Sequence, residues 1–131
     1  MTITKTMKTT KPTASEAEEQ IAVIEYCDVY GIPIYHIANE GKRTRYTGNL
    51  LRLLGMRKGV PDLCIPLPRG KYHGFYIEMK SESGKVTKEQ REWLKLLKNN
   101  GYATAICYGA DEAINKIAAY MRLEERKNEN E

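Results

Sequence analysis

The residues of this chain most able to do chemistry lie in two short stretches, Gly59-Val60-Pro61-Asp62 and Ile77-Glu78-Met79-Lys80. Alternation along a strand puts Phe75, Ile77 and Met79 on one face and Tyr76, Glu78 and Lys80 on the other. Glu78 and Lys80 then stand about 6.6 Å apart, at ~3.3 Å per residue. Alone, such a pair is an ordinary surface ion pair of little worth. Asp62 changes that reading, because it begins the preceding strand and a hairpin brings it beside Glu78. Two converging carboxylates repel unless a cation separates them, and hard oxygen ligands suit Mg²⁺ or Mn²⁺. A metal so held polarises a phosphate and lowers the pKa of a bound water. Lys80 is placed to orient or deprotonate that water, or to neutralise charge in the transition state. The chemistry implied is phosphodiester hydrolysis.

The elements that must position these groups can be read from pattern. A helix is expected from Ser15, which with Glu18 forms a capping-box pattern, and Ile21, Ile24 and Cys27 continue its apolar stripe. Gly31 and Pro33 stop it, and IPIYHIA reads as a strand. The polar NEGKRTRYTGN reads as an exposed loop, followed by a short helical turn around 49–54 that ends at Gly55. A strand over 60–67, a turn at Arg69-Gly70-Lys71 and the strand YHGFYIEMK form a hairpin. Thr87 and Gln90 form a second capping box, and Trp93, Leu94 and Leu97 mark one face of a helix ended by Gly101. The strand YATAICY and a helix over 111–121 complete an α/β domain with a restriction-endonuclease-like core, a central mixed β-sheet flanked by helices in the order αββ(α)βαβα. Residues 1–14 are expected to form a flexible arm and 123–131 a disordered tail, leaving 15–122 as the folded domain.

Composition bounds the partners. The 131 residues, 41% of them apolar, suit one domain with one core. Twenty-one basic against 17 acidic residues leave only +4, so net charge argues weakly for nucleic acid. Distribution argues more strongly: Lys42, Arg43, Arg45, Arg52, Arg57 and Lys58 lie between Gly41 and Gly59 with no acidic residue among them. That run is either a solvated loop or a surface that neutralises phosphates. Cys27, Cys64 and Cys107 are odd in number, far apart and set among apolar neighbours, so they read as reduced core residues in an intracellular protein. No segment approaches the ~20 apolar residues of a membrane span, and the start carries no signal-peptide pattern. His36 and His73 have no partner at metal-ligand spacing and read as ordinary strand or surface histidines. Among nine tyrosines, Tyr46, Tyr72 and Tyr76 lie near the basic run or the site; packing at the sheet surface competes with base stacking for them. No Ser-His-Asp grouping, P-loop or dinucleotide fingerprint is present.

Pro61-Asp62 followed by Glu78-Met79-Lys80 resembles the PD-(D/E)xK nuclease signature. With EAEEQIAVIEY, GVPD, IEMK, SGKVTKEQREWL and DEAINKI, the chain is similar to the VRR-NUC branch over about 100 residues, roughly 16–117. The resemblance implies that Asp62, Glu78 and the backbone carbonyl of Met79 ligate Mg²⁺ or Mn²⁺, and that Lys80 is the catalytic lysine. It further implies a glutamate from the first helix near the metal. Glu16, four residues before Gln20, fits that pattern best, with Glu18 and Glu19 as rivals whose ordinary role is helix-end compensation. Gln90 matches a glutamine directed at the site, besides its capping role. Relatives of this size resemble Holliday-junction resolvases and are associated with phages and DNA repair, which implies a bacterial cytoplasm for a phage-encoded chain. Two symmetric cuts in a four-way junction require a homodimer. The rivals are a flap or duplex-end nuclease, an RNA-processing nuclease, and a catalytically silent DNA-binding module of the same fold.

Overall fold

In the computed structural model, residues 12–38 and 45–126 are described. The elements run α1 (Pro12–Val29), β1 (Tyr35–His36), α2 (Arg45–Leu53), β2 (Leu63–Ile65), β3 (Phe75–Lys80), α3 (Lys88–Asn99), β4 (Ala103–Tyr108) and α4 (Ala110–Met121). The α/β class and the mixed sheet agree with expectation. The short helix falls between the first and second strands, where the helical turn over 49–54 is expected, so that only the written order αββ(α)βαβα, which sets it one strand later, is corrected to αβ(α)ββαβα. The helix starts at Arg45, inside the stretch expected to be loop.

Four strands lie in the order β1-β2-β3-β4, antiparallel except for the parallel β3–β4 pair. The expected hairpin forms: Arg69 and Tyr72 exchange backbone hydrogen bonds around the turn, where Gly70 takes φ +54°. Parallel pairing of β3 with β4 needs a crossover, which α3 supplies. Leu63, Ile65, Phe75, Ile77, Met79 and Cys107 bury one sheet face against Val23 and Cys27 of α1 and Ala113, Ile117 and Tyr120 of α4. That burial is the largest stabilising term available to a domain of this size. The opposite face carries Tyr76, Glu78 and Lys80, as alternation requires. All three cysteines are buried and free.

Several boundaries differ from expectation, each for a local reason. Helix α1 begins at Pro12, so Ser15 lies within it and not ahead of it; proline's fixed φ suits a first helical position. The strand expected over 60–67 pairs only over Leu63–Ile65 because Pro61 and Pro66, having no N–H, bound it. With so short a partner, β1 reduces to Tyr35–His36, extended by one bond from the Ile37 amide to the Asp62 carbonyl at 2.8 Å. Residues 123–126, expected in the tail, lie against the hairpin turn: Gly70 N–H donates to Glu124 O at 2.6 Å, and Glu125 bridges to Arg69. The rest of the expected tail, 127–131, and residues 1–11 of the expected arm lie outside the described residues.

Candidate active site

The site grows from the β2–β3 register. Leu63 pairs with Ile77, so one step further Asp62 stands opposite Glu78 and Pro61 opposite Met79. Asp62 Oδ2 accepts the Met79 N–H at 2.8 Å. A proline opposite Met79 has no N–H to give the Met79 carbonyl. Backbone and side chain of Asp62 are both held: its carbonyl accepts from Ile37 and lies 3.0 Å from His36 Nδ1, which is 3.3 Å from Gln20 Nε2. His36, read from the sequence as an ordinary histidine, thus stands beside Asp62 and supports it. His73 contacts Tyr102 and Arg126 instead.

Glu78 is only 3% exposed. Its Oε2 lies 3.9 Å from Lys80 Nζ and accepts from Gln90 Nε2 at 3.0 Å. Its Oε1 is buried with no hydrogen-bond partner. Burial, then the Asp62 charge, push the Glu78 carboxyl up to about 8, against the opposing pull of Lys80. Asp62 is also raised by burial, opposed by the Met79 N–H and the charges of His36 and Lys80. Burial disfavours the charged form of both carboxyls, and the Asp62 charge adds to that cost at Glu78.

Gln90 reaches Glu78 because α3 begins where the sequence expects. Thr87 Oγ1 accepts the Gln90 N–H at 3.1 Å and Gln90 Oε1 accepts the Thr87 N–H at 2.9 Å, a complete capping box. Gly59 lets this helix start approach: at φ +90°, an added Cβ would lie 2.6 Å from the Glu89 carbonyl carbon and 2.9 Å from Gln90 N. Sequence reasoning missed that contact, although a glycine three residues before Asp62 was its signal.

The three candidate glutamates of α1 separate. Glu16 lines a cleft of about 250 Å³ together with Glu19, Lys80, Ser81, Glu82, Tyr108 and Gly109, and its charge contributes to raising Glu78. Glu19 accepts the Ala110 N–H at the start of α4. Glu18 is exposed. Among the described residues no three His, Cys, Asp or Glu side chains gather at metal-binding distance. Asp62 and Glu78 are hard oxygen donors, and the unpartnered Glu78 Oε1 is an acceptor that a cation would satisfy. Two carboxylates with a backbone carbonyl, the rest of the shell being water, suit Mg²⁺ or Mn²⁺. The donor set fits.

Of the basic run, Lys42 and Arg43 lie outside the described residues, and Arg45 opens α2. Arg52 and Lys58 are exposed. Arg57 turns its guanidinium back onto the carbonyls of Arg52 and Met56 at 3.0 and 3.3 Å, capping the end of α2. Lys58 borders a groove with Glu89, Glu92, Trp93 and Leu96. No helix among the described residues is long and apolar enough to cross a membrane.

A family model for the VRR-NUC domain matches residues 42–111, a stretch that contains Asp62, Glu78, Lys80 and Gln90 and leaves α1 outside. A solved structure described as a VRR_NUC domain protein is similar at 27% identity with a TM-score of 0.73, covering 85% of this chain and 91% of the other. No curated protein matches significantly. With the family match spanning more than half of its residues, the chain belongs to the VRR-NUC family of nuclease-type domains.

Proposed function

We propose that this chain is a Mg²⁺- or Mn²⁺-dependent endodeoxyribonuclease that cuts branched DNA, a four-way junction foremost, as a homodimer. One observation carries the reading: Glu78 Oε1 is buried without a partner, on a carboxylate that stands beside Asp62 and within 3.9 Å of Lys80. A fold kept only for binding has no physical reason to retain that cost, since an unsatisfied buried polar atom is destabilising by about 1–3 kcal/mol. A divalent cation, when bound, polarises the scissile phosphate and activates water.

The protein's own groups supply orientation and charge. Asp62 and Glu78 would hold the cation, together with the backbone carbonyl of Met79, the residue after Glu78 on β3. Gln90 holds Glu78 Oε2 and leaves Oε1 free to ligate. Lys80, next to Glu78, orients the attacking water and offsets negative charge accumulating on the phosphate. Glu16 adds negative charge from the α1 side. Exposed Arg52 and Lys58, with Lys42, Arg43 and Arg45 of the same run, contact DNA phosphates. Two symmetric cuts require two sites, and Leu50, Leu53 and Leu54, exposed by 46%, 78% and 74%, offer apolar surface for a second copy.

The test is nicking of an end-labelled four-way junction with and without Mg²⁺, by the unaltered chain and by Asp62→Ala, alongside a flap, a plain duplex and an RNA hairpin. Metal-dependent cutting of the junction, lost in Asp62→Ala, is expected. Cutting that prefers the flap, the duplex end or the RNA would replace the junction assignment. Junction binding with no cutting by either protein would make the chain a silent binding module.

A further inference from the structure

Helix α4 opens on Gly109, which takes φ +97° and has no side chain with which to cap the helix. The first amides of a helix have no partner within it. One of them, Ala110 N–H, is satisfied from 91 residues away, by Glu19 Oε2 of α1. Glu19, Val23 and Cys27 recur every four residues and so form one stripe of α1. Val23 is the first buried apolar residue of α1 among the described residues. Toward the N-terminus from Val23, Glu19 is therefore the contact that ties α1 to α4, while Gln20, whose Nε2 lies 3.3 Å from His36 Nδ1, ties it to the first strand. Glu16 stands three residues before Glu19, hence on the same face, and both border the cleft that Lys80 lines.

We propose that Glu19 is a positioning residue: by capping α4 it fixes the helical turn that places Glu16 in the cleft beside Lys80 and Glu78, and so sets how tightly the site holds its divalent cation. This rests on the metal-dependent reading above. In this arrangement Glu19 acts through the α4 backbone, to which its Oε2 is bonded, and not as a ligand. The distinction matters, since a ligand and a positioning residue respond differently to the same substitutions. Gln at position 19 retains an oxygen that accepts from Ala110 and loses the charge. Asp retains the charge and draws it back by one methylene from the amide.

The experiment measures Mn²⁺ binding to the full chain by calorimetry, with thermal unfolding in parallel. Glu19→Ala is expected to weaken Mn²⁺ binding about 10-fold, a size usual for groups that orient metal ligands. Glu19→Gln should stay within about threefold of the unaltered chain, and Glu19→Asp should weaken binding in the same direction as Glu19→Ala. The double variant Glu16→Gln/Glu19→Ala should bind no more weakly than Glu16→Gln alone, because Glu19 acts through Glu16. If Glu19→Ala lowers only the Tm and leaves Mn²⁺ affinity intact, the cap is structural and the proposal falls while the nuclease reading stands. Additive losses in the double variant, or Glu19→Gln as weak as Glu19→Ala, would show Glu19 acting on the ion by its charge and overturn it likewise. Should Glu19→Ala fail to fold, Glu19→Asp and Glu19→Gln decide by the same comparison. No Mn²⁺ binding by the unaltered chain would overturn both readings together.

Discussion

Gln90 donates through Nε2 to Glu78 Oε2 at 3.0 Å while its Oε1 accepts the Thr87 amide at 2.9 Å, so one side chain both closes the start of α3 and holds a buried carboxylate. Its amide orientation follows from the Thr87 N–H, which can only donate and so takes Oε1, leaving Nε2 for Glu78. Two roles in one residue mean that a single substitution has two separable effects. Gln90→Ala is expected to lower stability by about 1–2 kcal/mol through loss of the cap and of the bond to Glu78. It should reduce cleavage by about 10–100-fold through misorientation of Glu78. Gln90→Glu keeps an acceptor for the Thr87 amide but offers Glu78 a second negative charge, so its deficit falls on cleavage more than on stability. Denaturant titration and nicking rates at a temperature where all variants are folded check this. Equal cleavage by Gln90→Glu and the unaltered chain would contradict it.

Asp62→Asn separates ligation from folding. The amide oxygen of Asn still accepts the Met79 N–H that Asp62 Oδ2 accepts at 2.8 Å, so the hairpin end should persist and the Tm should change by a few degrees at most. Cleavage should fall by at least about 10²-fold, because the site loses a charged donor to the cation. A Tm scan paired with single-turnover nicking measures both quantities. A collapse of the fold, or undiminished cutting, would each refute the role given to this residue.

What the sequence made legible was the part of the site governed by short-range periodicity. Strand alternation placed Glu78 and Lys80 on one face, the hairpin brought Asp62 opposite Glu78, and the Thr87/Gln90 box located α3 within a residue. What it left hidden involves groups far apart in the chain. Nothing near Glu19 points to Ala110, and nothing near His36 points to Asp62; such contacts follow from tertiary packing and have no local signature. The basic run illustrates a third case. Its composition left a solvated loop and a phosphate-binding surface both open, and did not reveal that Arg57 is turned onto the end of α2, where helix-terminal carbonyls need donors and Arg57 lies next to them. Strand length was overestimated wherever apolar character continued past a proline, since hydrophobicity marks burial while pairing needs N–H groups.

The raised Glu78 pKa makes stability of the metal-free protein depend on pH. The folded chain holds this carboxyl at about 8, above the ordinary value of 4.5. Between those values the folded form keeps a proton that the unfolded form releases, so the contribution is full below about pH 4.5 and is lost as pH rises through about 8. The Tm measured in chelator should therefore decline across that window, and Glu78→Gln should flatten the decline. Cation binding requires the carboxylate form, so Mn²⁺ uptake at pH 7 should release a proton. Calorimetry in two buffers of different ionisation enthalpy counts it. The same binding heat in both buffers would contradict a protonated Glu78.

Gly59 links backbone geometry to the position of Gln90. At φ +90° with backbone atoms of Glu89 and Gln90 within 2.9 Å of any added Cβ, Gly59→Ala forces both a strained dihedral and a shift of the α3 start. The expected loss of stability is about 1–3 kcal/mol. Gly31→Ala is the control: φ is +66° there, but nothing lies within 4 Å of an added Cβ, so it carries the strain without the displacement. If the approach of α3 positions Gln90 against Glu78, Gly59→Ala should cut DNA about 10-fold more slowly than Gly31→Ala when both are fully folded. Equal rates for the two variants would mean that the close approach serves packing alone, and that Gln90 reaches Glu78 from a helix free to settle elsewhere.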